Sequence, residues 1–416
     1  MVITTMAKRI YFDYAATTPV DPEVFEIMKP YFLEKFGNPS SIHQFGQEAA
    51  KAVVEARQSV AGFLNCQSAE VIFTSGATEG NNTIIRGLGV SQKLRQNLGG
   101  GKPHLIVSQI EHDCVLNSAR KLEKDGLAEV SYLPVNRDSL VEVSEVEKNI
   151  KSNTILISVM YANNETGAIQ PIAEIGQLLK ELNKNRQNKI SFHTDAAQAV
   201  NYLDCDSRKL GVDFMTLSAH KIYGPKGIGA LFVRQGAPFE RFLEGGEQEF
   251  KMRAGTHNVS GIVGLGAAID KVGQLKSKIK DTQKLRDKLI DGVLKNIPGS
   301  FLNGSRELRL PNNTNFRFDG VEGEAVLIAL DLSGIAISTG SACAAKSLEP
   351  SHVLQAIGLE PLESHSSIRL SLGRFTSEEE IDKVSALLPG IIEKLRSISG
   401  GVGERMKDKL LKNLGC

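Results

Sequence analysis

Ser218-Ala219-His220-Lys221 follows the apolar run Phe214–Leu217 and precedes the glycine-rich turn GPKGIG. A lysine just past a buried strand has a positional constraint that surface lysines lack. Its amine can condense with an aldehyde once its hold on a proton is weakened. Most loop lysines are simply solvated, and Asp195 is what shifts that balance. It ends the neighbouring apolar run Ile190–Thr194. Pyridoxal phosphate chemistry pairs a Schiff-base lysine with an aspartate on the pyridinium nitrogen, which keeps the ring protonated and able to accept electrons.

Further residues fit the same reading. In SGATEG (Ser75–Gly80), Gly76 frees a turn and Thr78 opens a helix, whose first N–H groups and dipole favour a phosphate. Alone this segment reads as a helix cap, and no GK[ST] follows, so it is not an NTPase loop. With Ser218 and His220 it supplies the donors a cofactor phosphate needs. His112, in EHDC, reads by itself as a cap; beside an aromatic cofactor it can stack and shuttle protons. Cys343 lies in STGSACAAKS, where small neighbours suit a nucleophile that travels, or an incidental surface thiol. In SIRLSL, Arg369 shares a strand face with Ser367 and Ser371. That setting suits a bidentate grip on a carboxylate, or a salt bridge to a nearby Glu.

The elements that must position these residues alternate strand and helix over two thirds of the chain, which predicts a mostly parallel α/β sheet. The apolar runs are Val71–Thr74, Leu105–Ser108, Ile155–Met160, Ile190–Thr194 and Phe214–Leu217, with Gly229–Val233 as an antiparallel addition. Thr78, His112, Asn164, Asp195 and His220–Lys221 all follow such runs. In open α/β sheets the ligand lies at the carboxyl ends of the strands. One amphipathic stretch is expected from about 267 to 297, then a smaller α+β unit. The expected division is 21–266 as a large PLP-binding domain, with 1–20 and 267–416 as a small domain. The small domain carries the Cys343 loop and a loosely held basic tail.

Composition narrows the function classes. The 416 residues carry 49 Lys+Arg against 48 Asp+Glu, a net charge of +1. This argues against direct nucleic-acid binding, which needs excess cationic charge. No apolar run is long enough to span a membrane. The five cysteines are odd in number and contain no CxxC, so neither a disulfide framework nor a metal site is expected. A reducing, cytoplasmic setting follows.

Taken together, YFDYAATTPVDP, FGNPSSIHQFG, VIFTSGATEGNN, EHDCVL, NNETGAIQPI, HTDAAQ, SAHKIYGPKGIGAL, RAGTHNV, STGSACAAKSLEPSHVL and HSSIRLSLGRFT resemble the cysteine desulfurases of the NifS and IscS types. The similarity runs from about Ile10 to Leu395. It implies a fold-type-I, PLP-dependent transferase of the class-V aminotransferase group. It implies Lys221 as the Schiff-base lysine, Cys343 as the sulfur acceptor, His112 on the ring, Asp195 on the ring nitrogen and Gln198 on the phenolic oxygen. Phosphate contacts would come from Ala77, Thr78, Ser218 and His220, with Thr256 supplied by a partner subunit. Asn164 would serve cofactor and substrate, with Asn163 as the alternative. Asn38 and Arg369 would hold the substrate carboxylate.

The resemblance further implies conversion of L-cysteine to L-alanine, a persulfide on Cys343, and transfer to acceptors such as an iron–sulfur scaffold. His112 is the candidate to take the proton of the attacking thiol. A homodimer is expected because Thr256 has no use within its own subunit. The tail after about Ser399 does not resemble the scaffold-docking tail of the IscS type. Selenocysteine lyase is the alternative within the fold. Cys66, Cys114, Cys205 and Cys416 carry no assigned role.

Overall fold

The computed structural model describes residues 9–275, 278–339 and 349–413. Its main sheet has seven strands in the order Val71–Thr74, Gly229–Val233, Phe214–Ser218, Ser191–Asp195, Thr154–Ser158, His104–Ser108 and Glu129–Leu133. All neighbours pair in parallel except Gly229–Val233, which runs antiparallel to both of its partners. The central strands are buried along their whole length. That is why they read as continuous apolar runs and not as alternation. Side chains still alternate between two cores: Val71 and Phe73 enter one, Ile72 the other.

Glu129–Leu133 (EVSYL) was not expected as a strand. It sits at the sheet edge and is only partly covered, so it has no apolar run to reveal it. The stretch expected as one helix is two, Val259–Gln274 and Ile279–Asn296. The first is apolar on most faces because it is packed into the large core against the helix Gln44–Leu64. There a Cβ on Gly266 would lie 2.8 Å from the Ala56 Cα. The second shows a single apolar stripe, Leu289, Ile290 and Val293, turned to another core. The last helix, Glu378–Asn413, continues through the glycines where a loose tail was expected.

That other core lies on a three-stranded antiparallel sheet, Ser367–Ser371, Asn313–Phe318 and Ser300–Leu302. The N-terminal strand Ile10–Tyr11 pairs in parallel with Ile335–Ala336, and Ile10 and Phe12 enter the same core. From there the chain crosses directly to the carboxyl edge of the main sheet, where Thr18 N–H donates to the His220 carbonyl at 3.0 Å.

Past the last strand of the main sheet, the segment leading to Thr256 makes an unusual turn. Glu249, Phe250 and Lys251 have φ of 47°, 58° and 69°. Left-handed backbone costs L-residues about 1–2 kcal/mol each, so the turn needs an anchor. The buried Glu249 carboxylate provides it. It accepts from Arg57 Nη1 at 2.7 Å, Arg57 Nη2 at 2.6 Å and Phe73 N–H at 2.7 Å, and lies 2.7 Å from His257 Nε2. Burial alone would raise its pKa. The Arg57 and His257 hydrogen bonds, the Arg57 charge and the Phe73 N–H outweigh it and pull the carboxyl to about 2.

Glu249→Ala would leave Arg57 buried and unpaired, an expected loss of roughly 3–5 kcal/mol in denaturant unfolding. Because the folded pKa lies below the ordinary 4.5, the contribution of Glu249 is complete above that value. It fades as pH falls toward about 2. Glu249→Gln should therefore flatten the acid dependence of stability over that window. An unchanged slope would show that this carboxylate is not what titrates.

Candidate active site

A cavity of about 500 Å³ opens at the carboxyl edge of the main sheet. Ala77, Thr78, His112, Asn164, Asp195, Gln198, Ser218, His220, Lys221 and Arg369 all line it. They arrive from the ends of five main-sheet strands and one strand of the smaller sheet. Thr256 and Asn38 do not line it. Thr256 is exposed beside a smaller pocket that shares Ser75 and Gly227 with the cavity. Asn38 is exposed, and its Oδ1 accepts the Ser40 N–H at 2.9 Å, so it is committed to its own turn. Cys343 and Cys416 lie outside the described residues.

Lys221 ends a short 3-10 turn, Ala219–Lys221, directly after strand Phe214–Ser218. Its Nζ donates to the carbonyls of Ala15 at 2.6 Å and Ala16 at 2.8 Å. Gln198 Nε2 donates to the same Ala15 carbonyl at 2.9 Å. Asp195 ends its strand almost fully buried. Its Oδ2 accepts from Asn81 Nδ2 at 2.6 Å and its Oδ1 from Ala197 N–H at 2.9 Å. Two residues back, His193 lies between Ser158 Oγ and Thr216 Oγ1. Burial depresses its pKa to about 4 against the pull of Asp195.

At the other end, the helix Ala77–Val90 begins at Gly76, and no side chain caps it. Its first N–H groups therefore remain available to a ligand. Gly76 has φ of 150°, which disfavours any other residue. A Cβ on Gly229 of the adjoining strand would sit 2.8 Å from the Gly76 Cα. Glu79 holds this loop by accepting Ser75 N–H at 2.8 Å, and Arg253 grips Glu79 in turn at 2.9 Å. Burial, with the charges of Lys221 and Lys226, depresses His220 to about 4 and keeps its ring neutral. Its Nδ1 lies 3.1 Å from Thr17 Oγ1.

Of the two adjacent asparagines, Asn163 is buried and structural. Its Oδ1 accepts the N–H groups of Glu165 and Thr166 at 2.9 Å each, and its Nδ2 donates to the Ile110 carbonyl. Asn164 is the one that lines the cavity. Arg369 is 1% exposed and donates from Nη2 to Asp13 Oδ1 at 2.8 Å and from Nη1 to the Asn164 carbonyl at 2.9 Å. Its Nε is buried without a hydrogen-bond partner among the described residues. The acid beside this arginine is thus Asp13, 356 residues earlier in the chain, and not a nearby Glu.

Sequence reasoning missed Asp13, Asn81 and Lys226, and assigned nothing to Cys114, which also lines the cavity. Asn81 had a legible signal. It stands one helical turn after Thr78, on the same face. Glu111 was missed as well. It is fully buried, accepts from Ser108 Oγ and Met160 N–H at 2.6 Å each, and leaves Oε2 without a hydrogen-bond partner among the described residues.

The class-V aminotransferase family model matches residues 10–384. A cysteine desulfurase IscS of Dictyoglomus turgidum is 48% identical over 95% of this chain and 97% of its own. The chain belongs to the cysteine desulfurases of the class-V aminotransferase family. A second relative, from Methanosarcina thermophila and also named cysteine desulfurase IscS, is 47% identical over 95% of each chain. Among solved structures, a NifS-like protein superposes with a TM-score of 0.85 at 35% identity, covering 93% of this chain and all of its own. A structure described as SspA in complex with cysteine gives 0.77 at 37% identity, covering 89% of this chain and all of its own. Enzymes of this family depend on pyridoxal phosphate. No helix among the described residues is long and apolar enough to cross a membrane.

One consequence concerns Glu111 in this desulfurase. Burial outweighs its two hydrogen bonds and pushes its carboxyl up to about 8, so it is protonated at neutral pH. The folded state then keeps a proton that the unfolded chain releases above its ordinary 4.5. The stabilisation is complete below that value and is lost as pH rises to about 8. Glu111→Gln should remove this decline, read as a smaller difference in unfolding free energy between acidic and mildly alkaline buffer. A decline as steep as in the parent would contradict the neutral carboxyl.

Proposed function

We propose that this chain binds pyridoxal 5'-phosphate in the cavity at the sheet edge and takes sulfur from L-cysteine. L-alanine is released and a persulfide stays on Cys343. The observation that carries this reading is the meeting of Lys221, Asp195, His112 and an uncapped helix N-terminus around one cavity. The donor set fits a phosphorylated aromatic aldehyde: an amine at one wall, a buried carboxylate at the floor, and free N–H groups with hydroxyls at the far end. When bound, the cofactor supplies an electron sink for the substrate carbon.

The roles of the chain's own residues follow from their positions. Lys221 Nζ is the amine that holds the cofactor and, once released, carries the proton of the substrate Cα. Asp195, held by Asn81, keeps a proton on the ring nitrogen. Gln198 serves the phenolic oxygen. Ala77 and Thr78 at the helix start, with Ser218 and the neutral His220, hold the phosphate. Arg369 and Asn164 orient the substrate carboxylate. Cys343 receives the sulfur; its role rests on the sequence STGSACAAKS. The acceptors that follow include an iron–sulfur scaffold, in a cytoplasmic setting.

A homodimer belongs to the same reading. Exposed apolar residues cluster in the segment 33–45: Leu33 is 83% and Ile42 92% exposed, with Phe36 against Phe45. A groove of about 520 Å³ lined by Pro39, Val54, Phe250 and His257 continues this surface. Covering it with a second copy buries the apolar side chains and brings Thr256 to the partner's phosphate end.

Cys343→Ala should reduce sulfide release from L-cysteine to background while the visible band of lysine-bound cofactor persists. Release at the parent rate would overturn the persulfide role. Lys221→Ala should lose that band and slow turnover by roughly 10²–10⁴-fold. Thr256→Ala removes one hydrogen bond to a charged group, worth about 1.5–3 kcal/mol. Cofactor affinity should therefore fall about tenfold or more. Unchanged affinity, or a fully active monomer in sedimentation, would overturn the shared site.

A further inference from the structure

The helix Asp113–Lys124 is capped by the imidazole of His112, whose Nδ1 accepts the backbone N–H of Cys114 at 3.2 Å. A ring nitrogen accepts only through its lone pair, so Nδ1 is bare and the ring holds its proton on Nε2. A second donor meets the same nitrogen. Cys114 Sγ lies 3.1 Å from Nδ1. Burial, with the Asp195 charge nearby, pushes this thiol up to about 12, so it keeps its proton and donates it.

The thiol is held from behind. Asn81 Nδ2 lies 3.1 Å from the sulfur and also donates to Asp195 Oδ2 at 2.6 Å. The Thr78 hydroxyl reaches the sulfur as well. Asn81 is fully buried, so this arrangement has no solvent alternative. A run of hydrogen bonds thus joins the carboxylate at the cavity floor to the imidazole at its wall, through an amide and a thiol.

We infer that Asn81 and Cys114 are positioning residues that lock His112 as the Nε2–H tautomer, making it a hydrogen-bond donor at the cofactor face. This rests on the function proposed above and changes one part of it. A proton placed on Nδ1 would break the helix cap and force the sulfur to accept, a weak role that Asn81 and Thr78 already occupy, and Nε2 already carries its proton. The ring therefore presents no free acceptor, and the base for the attacking thiol is not His112.

The test is ¹⁵N-histidine NMR of the cofactor-loaded enzyme at neutral pH, with His112 assigned by the signals lost in His112→Gln. The expected result is a bare Nδ1 and a protonated Nε2. The reverse pattern, or protons on both nitrogens, overturns the inference without any further variant. Cys114→Ala keeps the backbone cap and removes the thiol. Losing one hydrogen bond of about 1 kcal/mol should move the tautomer ratio roughly fivefold, enough to reveal the Nδ1–H form. Cys114→Ser should restore the single form. An unchanged ratio in Cys114→Ala overturns the part given to the thiol. The visible cofactor band in the same samples reports separately on the proposed function. A sample with the band and the wrong tautomer defeats this inference alone, and one without the band defeats the function.

Discussion

A carboxylate buried at the end of a strand must find donors or give up its charge. Asp195 finds them in Asn81 and in the backbone N–H of Ala197. The first of these ties it to the helix Ala77–Val90, whose uncapped start faces the same cavity. One rigid helix therefore sets the distance between its uncapped start at one end of the cavity and the carboxylate at the floor. Thr78 and Asn81, one turn apart, serve the two ends. The close approach of Gly76 and Gly229 holds that helix start against the sheet.

Burial also decides which other groups near the cavity are charged. His193 and His220 are both depressed to about 4, and Glu111 is raised to about 8, so all three are neutral at pH 7. Around them stand Asp195, Lys221 and Lys226, with the ion pairs Arg369–Asp13 and Arg253–Glu79. Positive groups gather where a phosphate and a carboxylate would bind.

The cavity lies where two cores meet. The N-terminal segment is anchored in the smaller core, where Ile10–Tyr11 pairs with Ile335–Ala336, and reaches the main sheet by Thr18. Between them it offers the Ala15 and Ala16 carbonyls to Lys221 and the Asp13 carboxylate to Arg369. A short extended stretch thus contacts both Lys221 and Arg369, which ties the position of the smaller core to that of Lys221.

The strands, their mostly parallel arrangement and the residues at their ends were legible because full burial demands unbroken apolar runs. Parallel strands also deliver their carboxyl ends to one edge. Lys221, Asp195, His112, Thr78 and Arg369 could be named from that logic, and their motifs carried the family. The edge strand Glu129–Leu133 was hidden because an edge has no second core to fill. Asn81, one turn after Thr78, and Cys114, two residues after His112, were within reach of the sequence and were passed over, whereas Asp13 was hidden because its partner Arg369 is brought near only by folding. The same holds for the tautomer of His112, which depends on a helix start and a thiol and not on the imidazole itself. The sequence by itself determined which groups can do the chemistry. Tertiary structure alone decided which of them are charged and which nitrogen carries a proton, because burial and hydrogen-bond geometry set those properties.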